Sequence, residues 1–344
     1  MKKNSEKLTD INQIGEFGLI DLITKDFEIV NDTTELSIGD DAAILNYKNQ
    51  KTIVTTDMLV EGVHFDLSYF PLKHLGYKAV VSSISDICAM YGITQQITVS
   101  IAVSNRFKLE SIQELYSGIK HACKRYNVDL IGGDTTSSLK GLVISVTAIG
   151  CTTKSSYVTR SGSKPNDLIV VTGSLGGAYL GLQVLEREKQ VFLVNPNNKP
   201  DLSKYKYVVE RQLKPEAKSE VIDFFLENKI KPTSMIDISD GLSSEIIHLC
   251  KNSGQGCIIY EEKLPISQET VDVCKEFKLE ASTIALSGGE DYELLFTIDS
   301  KDLKKIEENK EFSVIGYITK ESNTNLITRD GKTNPITSLG WKSF

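Results

Sequence analysis

The stretch Ile53–Asp66, IVTTDMLVEGVHFD, constrains the chain more than any other. A β-branched run, Ile53-Val54-Thr55-Thr56, ends on Asp57, and His64, one of only four histidines, follows seven residues later. β-branched residues favour a strand. A strand that stops on a carboxylate can hold a hard cation at a sheet edge. Alone, such an aspartate is more often a turn residue. Here it has company, because comparable acids recur at Asp40-Asp41, Asp86, Asp134, Asp237 and Asp240.

At 344 residues the chain is long for one core, and two domains are expected. A net charge of −7 argues against nucleic acid as a partner, since phosphate contacts need clustered Lys and Arg. It does not argue against a phosphate ligand, because carboxylates bind phosphates through bridging Mg²⁺. The cysteines Cys88, Cys123, Cys151, Cys250, Cys257 and Cys274 form no C-x-x-C pair. Reduced thiols in a cytoplasmic protein are expected, with neither zinc site nor disulfide framework. Met1–Asp10 is polar and has no apolar core behind it, unlike a signal peptide. Leu168–Leu185 is apolar enough to resemble a membrane span, but Thr172-Gly173-Ser174 and Gly176-Gly177 interrupt it. Strand, glycine turn and helix are expected there, and no membrane association.

In order, Gly15–Lys25 has helical spacing, and SIGDDAAIL (37–45) sets two aspartates between a glycine and an apolar strand. Adjacent carboxylates repel, and a cation would relieve them. Leu75–Tyr91 reads as a helix with Ser82, Ser83, Ser85 and Asp86 on a small polar side. An aspartate in such a helix is costly unless paired. Ile97–Val103 reads as a strand, Leu109–Tyr126 as an amphipathic helix, and Leu130–Ser138 as a strand entering Gly132-Gly133-Asp134. Leu142–Gly150 closes the first half. The turn-rich Val158–Asp167 sets a boundary, giving domains 1–155 and 156–344. Arg160 within it suits bidentate anion contact. Ile169–Gly177 is a strand entering a glycine turn that could receive phosphate, followed by a helix Ala178–Glu188. Residues 189–205 read as a flexible polar insertion. The helix Pro215–Asn228 comes next, then Ser234–Leu249, a strand with Asp237, Ser239 and Asp240 at its exit before a helix. Asp240 is equally an N-cap on local grounds. Ile284–Phe296 carries a glycine pair, Glu290-Asp291 and an amphipathic strand.

The sequence has no G-x-x-x-x-G-K-[ST] loop, H-R-D segment, G-x-S-x-G elbow or H-E-x-x-H pair. What remains is a stock of carboxylates beside glycines in both halves, which suits several Mg²⁺ ions on a nucleotide triphosphate. General bases are scarce. An acceptor that is itself a phosphate would be ionised already, so no general base is expected; the obstacle is anion repulsion, which divalent ions reduce.

The blocks GEFGLI (15–20), IGDDAAIL (38–45), TTDMLVEGVHF (55–65), SDICAM (85–90), IGGDTT (131–136), TRSG (159–162), DISDGL (237–242) and SGGEDYEL (287–294) together make the chain resemble the thiamine-monophosphate kinase family. That family sits in a superfamily with aminoimidazole ribonucleotide synthetase. The resemblance implies an α/β (α+β) two-domain fold of the aminoimidazole ribonucleotide synthetase type. Its N-terminal domain would bind ATP and Mg²⁺ and dimerise through a β-sheet or barrel. Its C-terminal α/β domain would cover the nucleotide and substrate cleft. It further implies direct transfer of the ATP γ-phosphate to thiamine phosphate, with no phosphoenzyme, by a cytoplasmic homodimer. Matched by motif, Asp41, Thr55, Thr56, Asp57, Asp86, Asp134, Asp237 and Asp240 resemble the Mg²⁺-binding set. Tyr116, Gly133, Asp134, Arg160 and Ser239 resemble ATP contacts, while His64, Glu290 and Trp341 resemble substrate contacts. Trp341 could stack on the thiazolium or pyrimidine ring. The chain departs from the pattern at its end, GWKSF, where an aromatic followed by Asp-His-Phe is expected.

Two other superfamily members fit less well. Selenophosphate synthetase would need a reactive Cys or selenocysteine near the N-terminus, but the first cysteine is Cys88; the hydrogenase-maturation member ends in cysteine, and this chain ends in Phe344. A regulator that had lost catalysis would show an eroded acidic set, and none of these carboxylates is replaced.

Overall fold

The structure, a computed structural model, describes residues 34–36, 39–47, 50–152, 156–197 and 200–337. The helix expected over Gly15–Lys25 and the C-terminal Trp341 lie outside them.

Two sheets carry the fold. The first has β1 (Thr34–Leu36), β2 (Ala43–Tyr47), β3 (Gln50–Val60), β4 (Gly92–Val103), β5 (Asp129–Ser137) and β6 (Val143–Thr152) in the order β1-β2-β3-β6-β4-β5. Its neighbours are antiparallel except β4 and β5, which run parallel and so need a crossover. The connecting helix α2 (Leu109–Tyr126) supplies it. The second sheet has β7 (Leu168–Thr172), β8 (Ser234–Ile238), β9 (Gly256–Tyr260), β10 (Glu293–Ile298), β11 (Phe312–Thr319), β12 (Thr324–Ile327) and β13 (Thr333–Pro335). Their order is β13-β12-β9-β11-β7-β10-β8.

The helix α1 (Leu72–Ala89) joins the halves. Fourteen of its eighteen residues are buried, which is the signature of a helix enclosed on all sides. On one side it lies against α2 at van der Waals distance. A Cβ on Gly76 would overlap the Leu115 carbonyl, and one on Gly118 the Lys73 carbonyl, so only glycine permits this crossing. On the other side its hydroxyls reach the second half: Tyr77 Oη donates to Glu216 at 2.7 Å and Ser85 Oγ to Asp237 at 2.6 Å. Phe225, Phe296 and Phe312 extend the core beneath Tyr91, with Phe225 and Phe296 edge to face at 5.0 Å.

In four places the structure departs from the sequence reading. β3 continues to Val60, so Asp57 sits inside a strand instead of ending one. β5 likewise runs straight through Gly132-Gly133-Asp134 as an exposed edge strand. The glycine turn after β7 is already filled by an anion from the protein itself. Gly176 N and Ala178 N donate to the Asp291 carboxylate at 2.6 and 3.2 Å, at the start of the helix α3 (Gly177–Val194). That helix runs six residues past Glu188, so the first part of 189–205 is ordered structure. Lys189 there pairs with Asp66 at 2.7 Å, an interaction between distant segments that local polarity does not reveal. Among the described residues no helix is long and apolar enough to cross a membrane.

Candidate active site

Strand alternation decides which side chains of the Thr55-Thr56-Asp57 run can act together. Thr55 and Asp57 face α1. Thr55 Oγ1 donates to Asp86 Oδ2 at 2.6 Å, and Ser83 Oγ donates to Asp57 Oδ2 at 2.7 Å. Thr56 points to the other face, where its hydroxyl donates to the Val146 carbonyl at 3.2 Å and accepts from Thr147 at 3.1 Å. Asp237 enters from β8 in the second half and is 3% exposed. Asp41, Asp86 and Asp237 each present a carboxylate oxygen, and these oxygens all lie within 4.8 Å of one another. Segments almost two hundred residues apart in sequence thus build one acidic point.

The electrostatics there are unfavourable as they stand. Burial pushes the Asp237 carboxyl up to about 7, with the Asp41 charge adding to the effect. Asp86 is held well above the usual carboxylate range by burial, then by Asp57, Asp237 and Asp41. Burial raises Asp57 despite its bond from Ser83. Asp40 rises to about 7, again through burial first and Asp41 second. Arg160 balances part of this charge, its Nε and Nη2 donating to the two oxygens of Asp41 at 2.9 and 2.8 Å. A crowd of buried, mutually repelling oxygen donors is what a hard divalent ion relieves, so the donor set fits Mg²⁺.

The other residues named from sequence fall into two groups around this point. Tyr116, Gly133 and Asp134 line one open cavity of about 450 Å³ between α2 and the β4–β5 edge. Gly133 is obligatory there, because any Cβ would overlap the Val99 carbonyl of the paired strand. Asp134 belongs to this cavity and is not one of the three acids in closest approach. Asp240 lies just past β8, where its backbone N–H donates to Glu245 at 2.8 Å.

The second group concerns the loop before β10. Glu290 and Tyr292 are left-handed without being glycine, at φ +65° and +51°. Such residues cost about 1–3 kcal/mol each and persist only where surroundings fix them. Here Glu290 N donates to the Ser239 carbonyl at 2.7 Å and Tyr292 N to the Ile238 carbonyl at 2.9 Å. Asp291 is clamped into the glycine turn, with its carbonyl bound by Arg211 at 3.1 Å. Ser239 therefore acts through its backbone, tying the loop of Glu290 to the strand of Asp237. His64 is held by its own turn: Val60 N donates to Nδ1 at 3.0 Å. With Nδ1 accepting, the neutral ring carries its proton on Nε2 and is a donor there, not a base.

Sequence reasoning did not assign Lys78, Gln212 or Glu245. Glu245 is 3% exposed and caps the backbone at Asp240; the signal was its place one turn into the helix that follows Gly241. Lys78 showed only as a lysine within an apolar helix, and Gln212 gave no signal.

The sequence and the fold as a whole have known counterparts. Residues 39–152 match the family model "AIR synthase related protein, N-terminal domain", and residues 164–329 match "AIR synthase related protein, C-terminal domain". The thiamine-monophosphate kinase of Aquifex aeolicus (strain VF5) is 34% identical over 344 residues, covering 97% of this chain and 99% of that one. That of Bacillus subtilis (strain 168) is 35% identical over 327 residues, 93% of this chain and 96% of that one. The solved structure of AaThiL complexed with AMPPCP and TMP superposes with a TM-score of 0.84 at 32% identity, covering 98% and 99% of the two chains. By sequence over nearly its whole length and by fold, the chain belongs to the thiamine-monophosphate kinase family.

Proposed function

We propose that this protein transfers the γ-phosphate of ATP directly to thiamine phosphate, giving thiamine diphosphate and ADP. The observation that carries the reading is the meeting of Asp41, Asp86 and Asp237, two of them buried and Asp86 partly so, at one point drawn from both halves of the chain. With Asp57 and the Thr55 hydroxyl beside them, these residues would hold Mg²⁺, and Asp240, just past β8, and Asp134, in the cavity of Tyr116, would complete the metal-binding set. Bound there, the ions would supply charge neutralisation between two anionic phosphates. Arg160, whose Nε and Nη2 already hold Asp41, would turn its remaining N–H donors to phosphate oxygens next to the same acids. The cavity of Tyr116, Gly133 and Asp134 is open enough for a nucleotide. His64 presents Nε2–H as a donor to the acceptor phosphate, and Glu290 faces the remainder of the substrate; a C-terminal aromatic, Trp341, would cover it. An ionised acceptor needs no general base, consistent with a site built from carboxylates. Residues 1–155 would carry nucleotide and metal, and 156–344 would close the cleft.

Incubated with MgATP, the protein should convert thiamine phosphate to equal amounts of thiamine diphosphate and ADP, without labelled protein from γ-labelled ATP. No diphosphate at saturating substrates and Mg²⁺ would sink this reading.

We also propose a homodimer. Among the described residues β5 lies at the sheet edge, paired on one side only, by β4, with Leu130 and Ile131 exposed, and apolar edges in stable proteins are normally covered. Light scattering should give twice the 38.1 kDa of one chain, and a monomer at micromolar concentration would refute it. Six unbonded thiols suit the reducing cytoplasm, where we place the reaction.

A further inference from the structure

We propose that Lys78, with the Gln212 side chain, is a positioning residue that fixes both oxygens of Glu290 toward the substrate. The inference rests on Glu290 being a substrate contact.

Lys78 is 1% exposed, in the interior of α1. An ammonium removed from water needs a charged partner and further acceptors to be tolerated. Its Nζ lies 3.0 Å from Glu290 Oε1 and donates to the Gln212 carbonyl at 3.0 Å, with the Phe70 ring centroid 5.5 Å away. Gln212 Nε2 donates to the other oxygen, Oε2, at 2.8 Å. Both carboxylate oxygens are therefore held, from two elements: α1 and the helix α4 (Lys206–Leu213).

A lysine that only stitched the halves together would be served by any buried acceptor. The charged partner here is the least buried of the three groups, with 28% of its side chain exposed against 2% for Lys78. Its backbone, at φ +65°, is already restrained, so side-chain restraint completes a fixed orientation. Each oxygen keeps lone-pair capacity beyond its one bond. Glu290 is thereby presented as an ionised acceptor, suited to an amino group or ring cation of the substrate. Because the lysine is buried, it stabilises that charge without competing for the exposed side.

The test uses steady-state kinetics of the full-length protein on both substrates with Lys78→Met, Glu290→Gln and the double variant. Lys78→Met should raise the thiamine-phosphate KM about tenfold or more and leave the ATP KM within about twofold. In the Glu290→Gln background, Lys78→Met should add less than about twofold, since its effect passes through that carboxylate. An unchanged thiamine-phosphate KM, an equal rise in both KM values, or multiplying effects in the double variant would overturn the proposal. Should Lys78→Met not fold, Gln212→Met removes only the side-chain donor; a selective rise of about threefold supports the proposal, and no rise overturns it. A wild-type protein inactive on thiamine phosphate would instead overturn the functional reading beneath it.

Discussion

Asp237→Asn lowers kcat/KM by about 10²–10³-fold, the scale expected when one preorganised charge stabiliser is lost, while the metal-free variant melts above wild type. The two effects have one origin. Asp237 is buried on β8, its carboxylate oxygen lies within 4.8 Å of those of Asp41 and Asp86, and burial with the Asp41 charge lifts its carboxyl to about 7. Asparagine keeps the shape and an oxygen able to accept from Ser85 Oγ, but removes the charge. Without a metal the charge is a burden, so the apo protein gains stability, roughly 1–2 °C for each kcal/mol in a chain of 344 residues. With nucleotide and Mg²⁺ bound the same charge would be required. Paired kinetics and melting curves in chelator check both signs. Normal turnover in the folded variant would remove Asp237 from the metal set, and a lower apo melting point would refute the repulsion account.

Stripped of divalent ions, the protein loses stability as pH rises from about 4 to about 7, and Mg²⁺ restores it. Asp40 and Asp237 both move from 3.8 to about 7. A carboxyl whose folded value exceeds its unfolded one contributes stability that is complete below the unfolded value. That contribution disappears as pH climbs through the folded value. Both groups feel Asp41, so they titrate jointly, and the total is a few kcal/mol, not a sum of separate terms. Metal must then displace protons, and apparent Mg²⁺ affinity should rise about tenfold per pH unit for each proton released, levelling above pH 7. Calorimetry in buffers of different ionisation enthalpy counts those protons. Stability in chelator that climbs steadily from pH 4 to 8 would contradict the account.

Much of this site was legible because its chemistry uses short words. DD, TTD, SDI and DISD name their aspartates whatever the fold does, and Asp41, Asp86 and Asp237 are brought together as their shared character implied. The errors came from geometry that such words do not carry. Thr56 sits between Thr55 and Asp57 in sequence, yet alternation turns its hydroxyl to the opposite face. The glycine turn at 173–177 has the composition of an anion cradle, but its anion is Asp291, more than a hundred residues away. Lys78 and Gln212 could not be found at all, since a lysine in a helix reads as solvated until the fold encloses it. α1 also shows the limit of local amphipathicity, because its small polar side, with Ser83, Ser85 and Asp86, faces the acids of the site instead of solvent.

One consequence of α1 concerns length. Lys78 and Asp86 stand eight residues apart on a single uninterrupted helix, a rise of about 12 Å. On the proposed reading the helix would work as a ruler between the acids that neutralise phosphate charge and the Glu290 that meets the rest of the acceptor. Neither end can approach the other by a side-chain rearrangement, because the rod between them is packed on every face. Selectivity for an acceptor of one span would then follow from helical rise, independently of how tightly either end binds.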